Sequence, residues 1–206
     1  MSAPAGPVKL VILPRTRAGL GRAGLRRHLE TVHGPMVVAD KGASGGFRRY
    51  VHHYAEDAGL PGELADRDAV TVIEFGDLAD MAASQASEGY RLRIGPDEDN
   101  FRELDGSVVL FADETVIAAG ADDAARKLFV FRPEAADNFS VLQNVASLPG
   151  VSGVTSNAAR TVAGDFAFAA IDEIGLVARA DPGAVVAALD LAPGCRCLLT
   201  EPVRFL

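Results

Sequence analysis

The sequence predicts an α+β fold built from two ferredoxin-like units in tandem, each running βαββαβ. Three observations carry that expectation. Apolar runs and amphipathic stretches follow one order in both halves of the 206-residue chain. Lys9-Leu10 and Lys127-Leu128 open the two halves alike, and Ile73-Glu74 has a counterpart in Ile171-Asp172. One unit alone covers a single face of its sheet with helices, so two units in one chain bury the bare faces against each other.

In the first half, Val8–Leu13 reads as a buried strand. Leu25, Leu29 and Val32 fall at i, i+4 and i+7, the spacing of an amphipathic helix, and Gly34-Pro35 should stop it. A loop through Gly42, Gly45 and Gly46 leads to a strand at Phe47–Tyr54. A second strand, Ala69–Phe75, is bounded by Asp66/Asp68 and Gly76-Asp77. A helix at Leu78–Ser87 and a strand at Ser107–Ile117 complete the unit. The second half offers strands at Leu128–Arg132, Val151–Val162, Phe166–Ile174 and Cys195–Phe205, with helices at Phe139–Leu148 and Ala184–Leu191. The join falls at Ile117–Ala125, which gives one unit over residues 1–120, holding the site, and a diverged scaffold unit over 121–206.

Composition narrows the function classes. With 49% apolar residues the chain can bury a full core. No apolar run approaches the roughly 20 residues of a membrane span. The start, Met1 to Pro7, lacks a basic signal region, so a soluble cytoplasmic protein is expected. Cys195 and Cys197 sit two apart on one strand face, a geometry suited to buried reduced thiols rather than a mutual disulfide. The net charge of −8 argues against nucleic acid as a partner. Residues 1–49 nevertheless carry nine Lys/Arg against Glu30 and Asp40. Such a basic rim is either a solvated face or an attractor for an anionic small molecule, with Arg15 as a candidate substrate-binding group.

Histidine is the informative residue. All four, His28, His33, His52 and His53, lie within one quarter of the chain. Only histidine titrates near neutrality without perturbation, so the cluster points to proton transfer. His33 borders the apolar stripe in the last turn of its helix, where the dipole favours imidazolium and burial opposes it. The competing reading is a histidine that caps the helix end. His28, on the other flank, reads as a surface or packing residue. On the strand, Tyr50, His52 and Tyr54 share one face, while Arg49, Val51 and His53 share the other. The first set lines an apolar cavity better, with groups that both donate and accept protons, so His52 is favoured over His53.

Gly19-Leu20-Gly21-Arg22-Ala23-Gly24 fits the dinucleotide fingerprint by letters. Five residues separate it from the strand and no alternating βαβαβ pattern follows, so no nucleotide cofactor is expected. A metal is not expected either, since the strand histidines diverge. The sequence has no nucleophile elbow, P-loop, CxxC pair or His-Glu-x-x-His.

The first half resembles the EthD family of dimeric α+β barrel proteins. The matching stretches include Val8–Leu13, Val32-His33-Gly34-Pro35-Met36-Val37 and Phe47-Arg48-Arg49-Tyr50-Val51. Ile73-Glu74-Phe75-Gly76-Asp77-Leu78, Asp97-Glu98-Asp99-Asn100-Phe101, Asp105 and Val108-Val109 follow in the family's order. The resemblance implies an intrachain barrel, an internal pseudo-dimer with or without a further homodimer. It also implies cofactor-independent chemistry on a small molecule. The family's helix-end histidine maps onto His33, and its second histidine onto the position of Tyr54, with His52 two residues earlier on the same face. Glu74 matches a strand position of the family. The reading is a lyase, isomerase or cyclase acting on a carbonyl-bearing, polyketide-like or lactone-like metabolite. His33 serves as general acid/base, His52 or Tyr54 as the complementary group, and Tyr50 and Glu74 as substrate-binding groups. The alternatives are a cofactor-free monooxygenase of an aromatic polyketide and a non-catalytic protein that binds a hydrophobic small molecule.

Overall fold

The computed structural model describes residues 7–134, 138–164 and 167–206. Strands β1 (Val8–Thr16), β2 (Phe47–Ala55), β3 (Ala69–Phe75) and β4 (Arg102–Ala118) form the first unit. Strands β5 (Arg126–Arg132), β6 (Val151–Ala163), β7 (Ala170–Leu176) and β8 (Arg196–Arg204) form the second. They close into one antiparallel barrel in the order β1-β3-β2-β8-β5-β7-β6-β4. Within that ring β4-β1-β3-β2 and β8-β5-β7-β6 repeat one strand order, the ferredoxin-like order. The sheets do more than face each other. Their edges hydrogen-bond along β2–β8 and β4–β6, so the edges of the two sheets pair with each other.

The helices lie outside. In the first unit α1 (Gly21–His28), α2 (Gly34–Ala39) and α3 (Lys41–Ser44) join β1 to β2. Then α4 (Leu78–Ala86) and the one-turn α5 (Gly95–Asp97) join β3 to β4. In the second unit α6 (Phe139–Ala146) and α7 (Pro182–Leu189) cover the sheet through Leu142, Val145, Val185 and Val186. Strand starts and ends shift by a few residues from the sequence reading, and Phe166, expected in a strand, lies outside the described residues. Among the described residues no helix is long and apolar enough to cross a membrane.

The expected helix stop at Gly34-Pro35 is not there. The helix runs on from Gly21 to Ala39 through a π turn, Leu29–His33, in which the Gly34 N–H reaches back to the Leu29 carbonyl. An α-helix tolerates proline badly because it lacks an N–H and its ring meets the carbonyl four residues earlier. One extra residue in the turn widens the backbone ahead of Pro35 and lets the helix continue. The device recurs at the π turn Tyr90–Ile94, followed by Gly95-Pro96, where the Gly95 N–H bonds the Tyr90 carbonyl. His33 is therefore mid-helix, and neither the cap nor the dipole argument applies to it.

Inside the barrel one zone is apolar, around Val11, Val72, Leu110, Phe129 and Ile171. Another is charged. Lys9 and Lys127, the first inward residues of β1 and β5, both pair with the fully buried Glu173. Arg49 adds pairs to Glu74 and Asp122. The two lysines thus meet as true counterparts, but the proposed match of Ile73-Glu74 with Ile171-Asp172 is out of register. Leu10 faces Ile73 and Leu128 faces Ile174, so Glu74 corresponds to Gly175. Asp172 instead points to the helix side, where it binds Arg132 and Ser156. Cys195 and Cys197 are buried free thiols, as their spacing suggested.

Candidate active site

The cavity lies between the helix-facing side of β1, β3 and β2 and the two segments that carry π turns. Leu10, Ile12 and Pro14 alternate onto its wall from β1. Ile73 and Phe75 come from β3, and Val37, Ile94 and Phe101 from the covering segments. Its volume is about 90 Å³. At about 10–15 Å³ per water this is room for a few waters, or for one ring rather than several.

Against these apolar walls stand His33, Tyr50 and His52. His33, at the end of the first π turn, places Nδ1 2.9 Å from Asp97 Oδ2. Asp97 ends the one-turn helix after the second π turn, so the two Gly-Pro segments meet at this contact. His28 Nε2 lies 2.9 Å from the same oxygen, and Asn100 donates to Asp97 Oδ1 at 3.0 Å. His28 is thus a packing residue, its ring against Phe101, that also partners the site. With Nδ1 held by the carboxylate, His33 Nε2 is the nitrogen left for the cavity. Burial lowers the His33 pKa, and its hydrogen bond to Asp97 recovers only part of that. Burial raises the Asp97 carboxyl, but hydrogen bonds from His28, Asn100 and His33 outweigh it and hold the pKa below the ordinary carboxylate value.

His52 sits beside this pair, its ring centroid 6.5 Å from that of His33 and 4.8 Å from that of Tyr50. Its Nδ1 is 2.7 Å from Thr71 Oγ1 across the β2–β3 register. Its Nε2 is buried and has no partner among the described residues. Burial, and then the nearby His33, push its pKa down to about 3, so it stays neutral. Burial likewise raises Tyr50 well above the ordinary phenol value, which keeps its proton on. Phe205, after the last strand, packs on both rings at 5.5 Å from Tyr50 and 5.3 Å from His52. The second unit therefore props the site of the first.

Three expected residues stand elsewhere. Tyr54 is buried with Leu25, Leu29 and Phe101 beneath the helix, with Arg26 over its ring. Glu74 faces the barrel interior and pairs with Arg49. Arg15 is mostly exposed and pairs with Glu103. The expected basic rim is largely paired too, because Arg22 meets Asp57 and Asp68 and Arg26 meets Glu30 and Glu201. The other strand histidine, His53, points into the barrel against Phe129. Sequence reasoning missed Asp97, Thr71 and Phe205 as neighbours of the histidines. It also missed Tyr90, Glu98 and Arg102 on the cavity wall. One signal was available: His33-Gly34-Pro35 and Ile94-Gly95-Pro96 are the same device, and Asp97 directly follows the second.

Comparison with known proteins assigns residues 17–105 to the EthD domain. No curated protein matches the chain. Among solved structures, an anthrone oxidase-like protein superposes with a TM-score of 0.63 at 13% identity, over 98% of this chain and 94% of its own. A candidate monooxygenase from Fusobacterium nucleatum subsp. nucleatum gives 0.59 at 9% identity, over 96% and 93%. Another from Lactobacillus acidophilus gives 0.57 at 10% identity, over 98% and 95%. At these identities the likeness is one of fold, the dimeric α+β barrel, here completed within one chain.

Proposed function

We propose that this chain, whose residues 17–105 match the EthD domain, is a cofactor-independent enzyme. It removes a proton from a carbon acid, a C–H beside a carbonyl, on a polyketide-like or lactone-like small molecule. The observation that carries this reading is the 2.9 Å contact of His33 with Asp97 at the wall of an apolar cavity. The carboxylate fixes the tautomer with the proton on Nδ1, leaving the Nε2 lone pair as the base. It also stabilises the imidazolium that forms when the proton arrives.

The electron pair left on carbon is delocalised onto the carbonyl oxygen. Tyr50 O–H and neutral His52 Nε2–H donate to that oxygen when Thr71 O–H donates to His52 Nδ1. A histidine with a pKa of about 3 does not work as an imidazolium acid here. It works as a neutral donor. Return of the proton to a different carbon is an isomerisation. Loss of a leaving group on the neighbouring carbon is a lyase reaction, and attack on a second carbonyl is a cyclisation.

A second reading shares the first step. The fold likeness to an anthrone oxidase-like protein supports a carbanion that passes its electrons to dioxygen, which makes the enzyme a cofactor-free oxygenase. An oxygen electrode separates the two. The test of the common step needs no natural substrate: exchange of the α-protons of phenylacetone and of a monocyclic unsaturated lactone in D₂O. His33→Ala and His33→Gln should each lower the exchange rate by roughly 10²–10⁴. Equal exchange in wild type and both variants refutes the base. Binding of these carbonyl compounds without any exchange points to a carrier.

A further inference from the structure

We propose that the wall formed by Tyr90, Glu98 and Arg102 is a hydroxyl-binding subsite, so that the substrate is a hydroxylated aromatic carrying its reactive carbonyl toward His33. The inference rests on the reading of this cavity as the substrate site and deepens it.

All three side chains line the cavity that His33 and His52 line. Glu98 Oε2 takes two hydrogen bonds from Arg102, one of them from Nε at 3.1 Å. Tyr90 Oη donates to Glu98 Oε1 at the long distance of 3.3 Å. The ion pair is itself sheltered, with side chains 16% and 10% exposed, unlike the solvated i,i+4 pairs that contribute little. A carboxylate has about four acceptor directions, and three are used here among the described residues. The remaining direction is on Oε1, beside a tyrosine hydroxyl that is loosely held.

The pairing of donors and acceptors chooses the ligand chemistry. Glu98 can only accept, so it calls for a donor. Tyr90 can offer its proton to an oxygen lone pair if it turns from Glu98. A neutral hydroxyl donates to one and accepts from the other with a single atom. A ligand carboxylate meets the Glu98 charge, and a methyl ether has no proton to give. The flanking walls, Phe47, Phe75 and Ile94, are apolar and fit a ring carrying that hydroxyl. A hydrogen bond to a charged group is worth about 1.5–3 kcal/mol, a preference of roughly ten- to a hundredfold for a phenol over its ether.

The experiment measures the dissociation constants of phenol, anisole and toluene by ligand-observed NMR. Wild type should prefer phenol to anisole by about tenfold or more. Tyr90→Phe and Glu98→Gln should each cut the preference below about threefold while the toluene constant stays unchanged, which reports an intact cavity. Where a variant loses toluene binding too, the wild-type ranking and the other variant decide. Equal binding of phenol and anisole by wild type overturns the subsite, as does a preference that survives both substitutions. The outcome is separable from that of the His33 test. Loss of proton exchange in His33→Gln together with no phenol preference leaves the catalytic reading standing and removes this one. A phenol preference abolished by Tyr90→Phe, with proton exchange unaffected in His33→Gln, does the reverse.

Discussion

Asp97 Oδ2 stands 2.9 Å from His33 Nδ1 across 64 residues of sequence, and each residue sits just beyond or at the end of a π turn coupled to a Gly-Pro pair. Two helical segments that each carry proline are thereby joined through one carboxylate, which His33 and His28 share, placed where the cavity wall closes. A hydrogen bond of this kind sets which ring nitrogen holds the proton. The distance between the two segments is thus coupled directly to the protonation pattern of the proposed base.

Asp97→Asn tests that coupling. An amide that presents its N–H to Nδ1 moves the proton of His33 to Nε2 and removes the base from the cavity. Proton exchange should fall by roughly 10²–10⁴, comparable to the loss of His33 itself. The pH profile gives a second readout. As a base His33 must be neutral, so activity rises with pH through a value below 6.5, the side to which burial moves it. Without the carboxylate that opposes this shift, any residual limb moves further toward acid. An unchanged rate and limb in Asp97→Asn would show that the contact only braces the helices.

Gly34 tests the packing behind the site. A Cβ there would overlap the Phe205 ring and lie 2.8 Å from the Leu29 carbonyl oxygen. Gly34→Ala should therefore destabilise by about 1–3 kcal/mol, the usual scale of overpacking. It should also lower turnover, because the displaced ring supports Tyr50 and His52. Phe205→Leu should relieve part of the clash, so the double variant is more stable than the sum of the two single effects. Additive losses in thermal or denaturant unfolding would mean that the ring and the glycine do not compete for space.

The duplicated strand order was legible because period-two and helical periodicities survive divergence, and because a half-covered sheet demands a second layer. The strand face of Tyr50 and His52 was legible for the same reason, since alternation fixes which side chains share a side. Tyr54 shows the limit of that rule. It lies on the same face as His52, but the helix bearing Leu25 and Leu29 covers it, and no pattern within β2 announces where a cover begins. Asp97 was hidden for a different reason. Its stretch carried the family likeness, yet only the two π turns bring it to His33, and a Gly-Pro pair ordinarily signals a stop. Glu74 and Asp172 misled through local identity, which says nothing about register; a shift of three residues puts the two carboxylates on opposite faces.

The last prediction concerns the histidine that the site does not use. His53 is fully buried inside the barrel, and both ring nitrogens lack a hydrogen-bond partner among the described residues. Burial, followed by the charge of Lys127, pushes its pKa well below 6.5. His52 is depressed in the same direction, to about 3. In the unfolded chain both titrate near 6.5. Above that pH neither state binds the proton, and the stabilising effect of the neutral rings is fully present. As pH falls below 6.5 the unfolded chain takes up protons that the folded chain excludes, so stability drops by ~1.4 kcal/mol per pH unit for each ring. The loss continues until the folded pKa is reached. Denaturant unfolding between pH 7 and 5 should show this slope before carboxylates such as Asp97 and Glu173 begin to protonate. His53→Leu should flatten the slope by about one histidine's share. It should also raise stability at pH 7 by about 1–3 kcal/mol, because an apolar side chain of similar size leaves no buried nitrogen unpaired. A variant as acid-sensitive as wild type would place the proton uptake elsewhere, and a less stable one would show that the ring nitrogens are satisfied within the barrel.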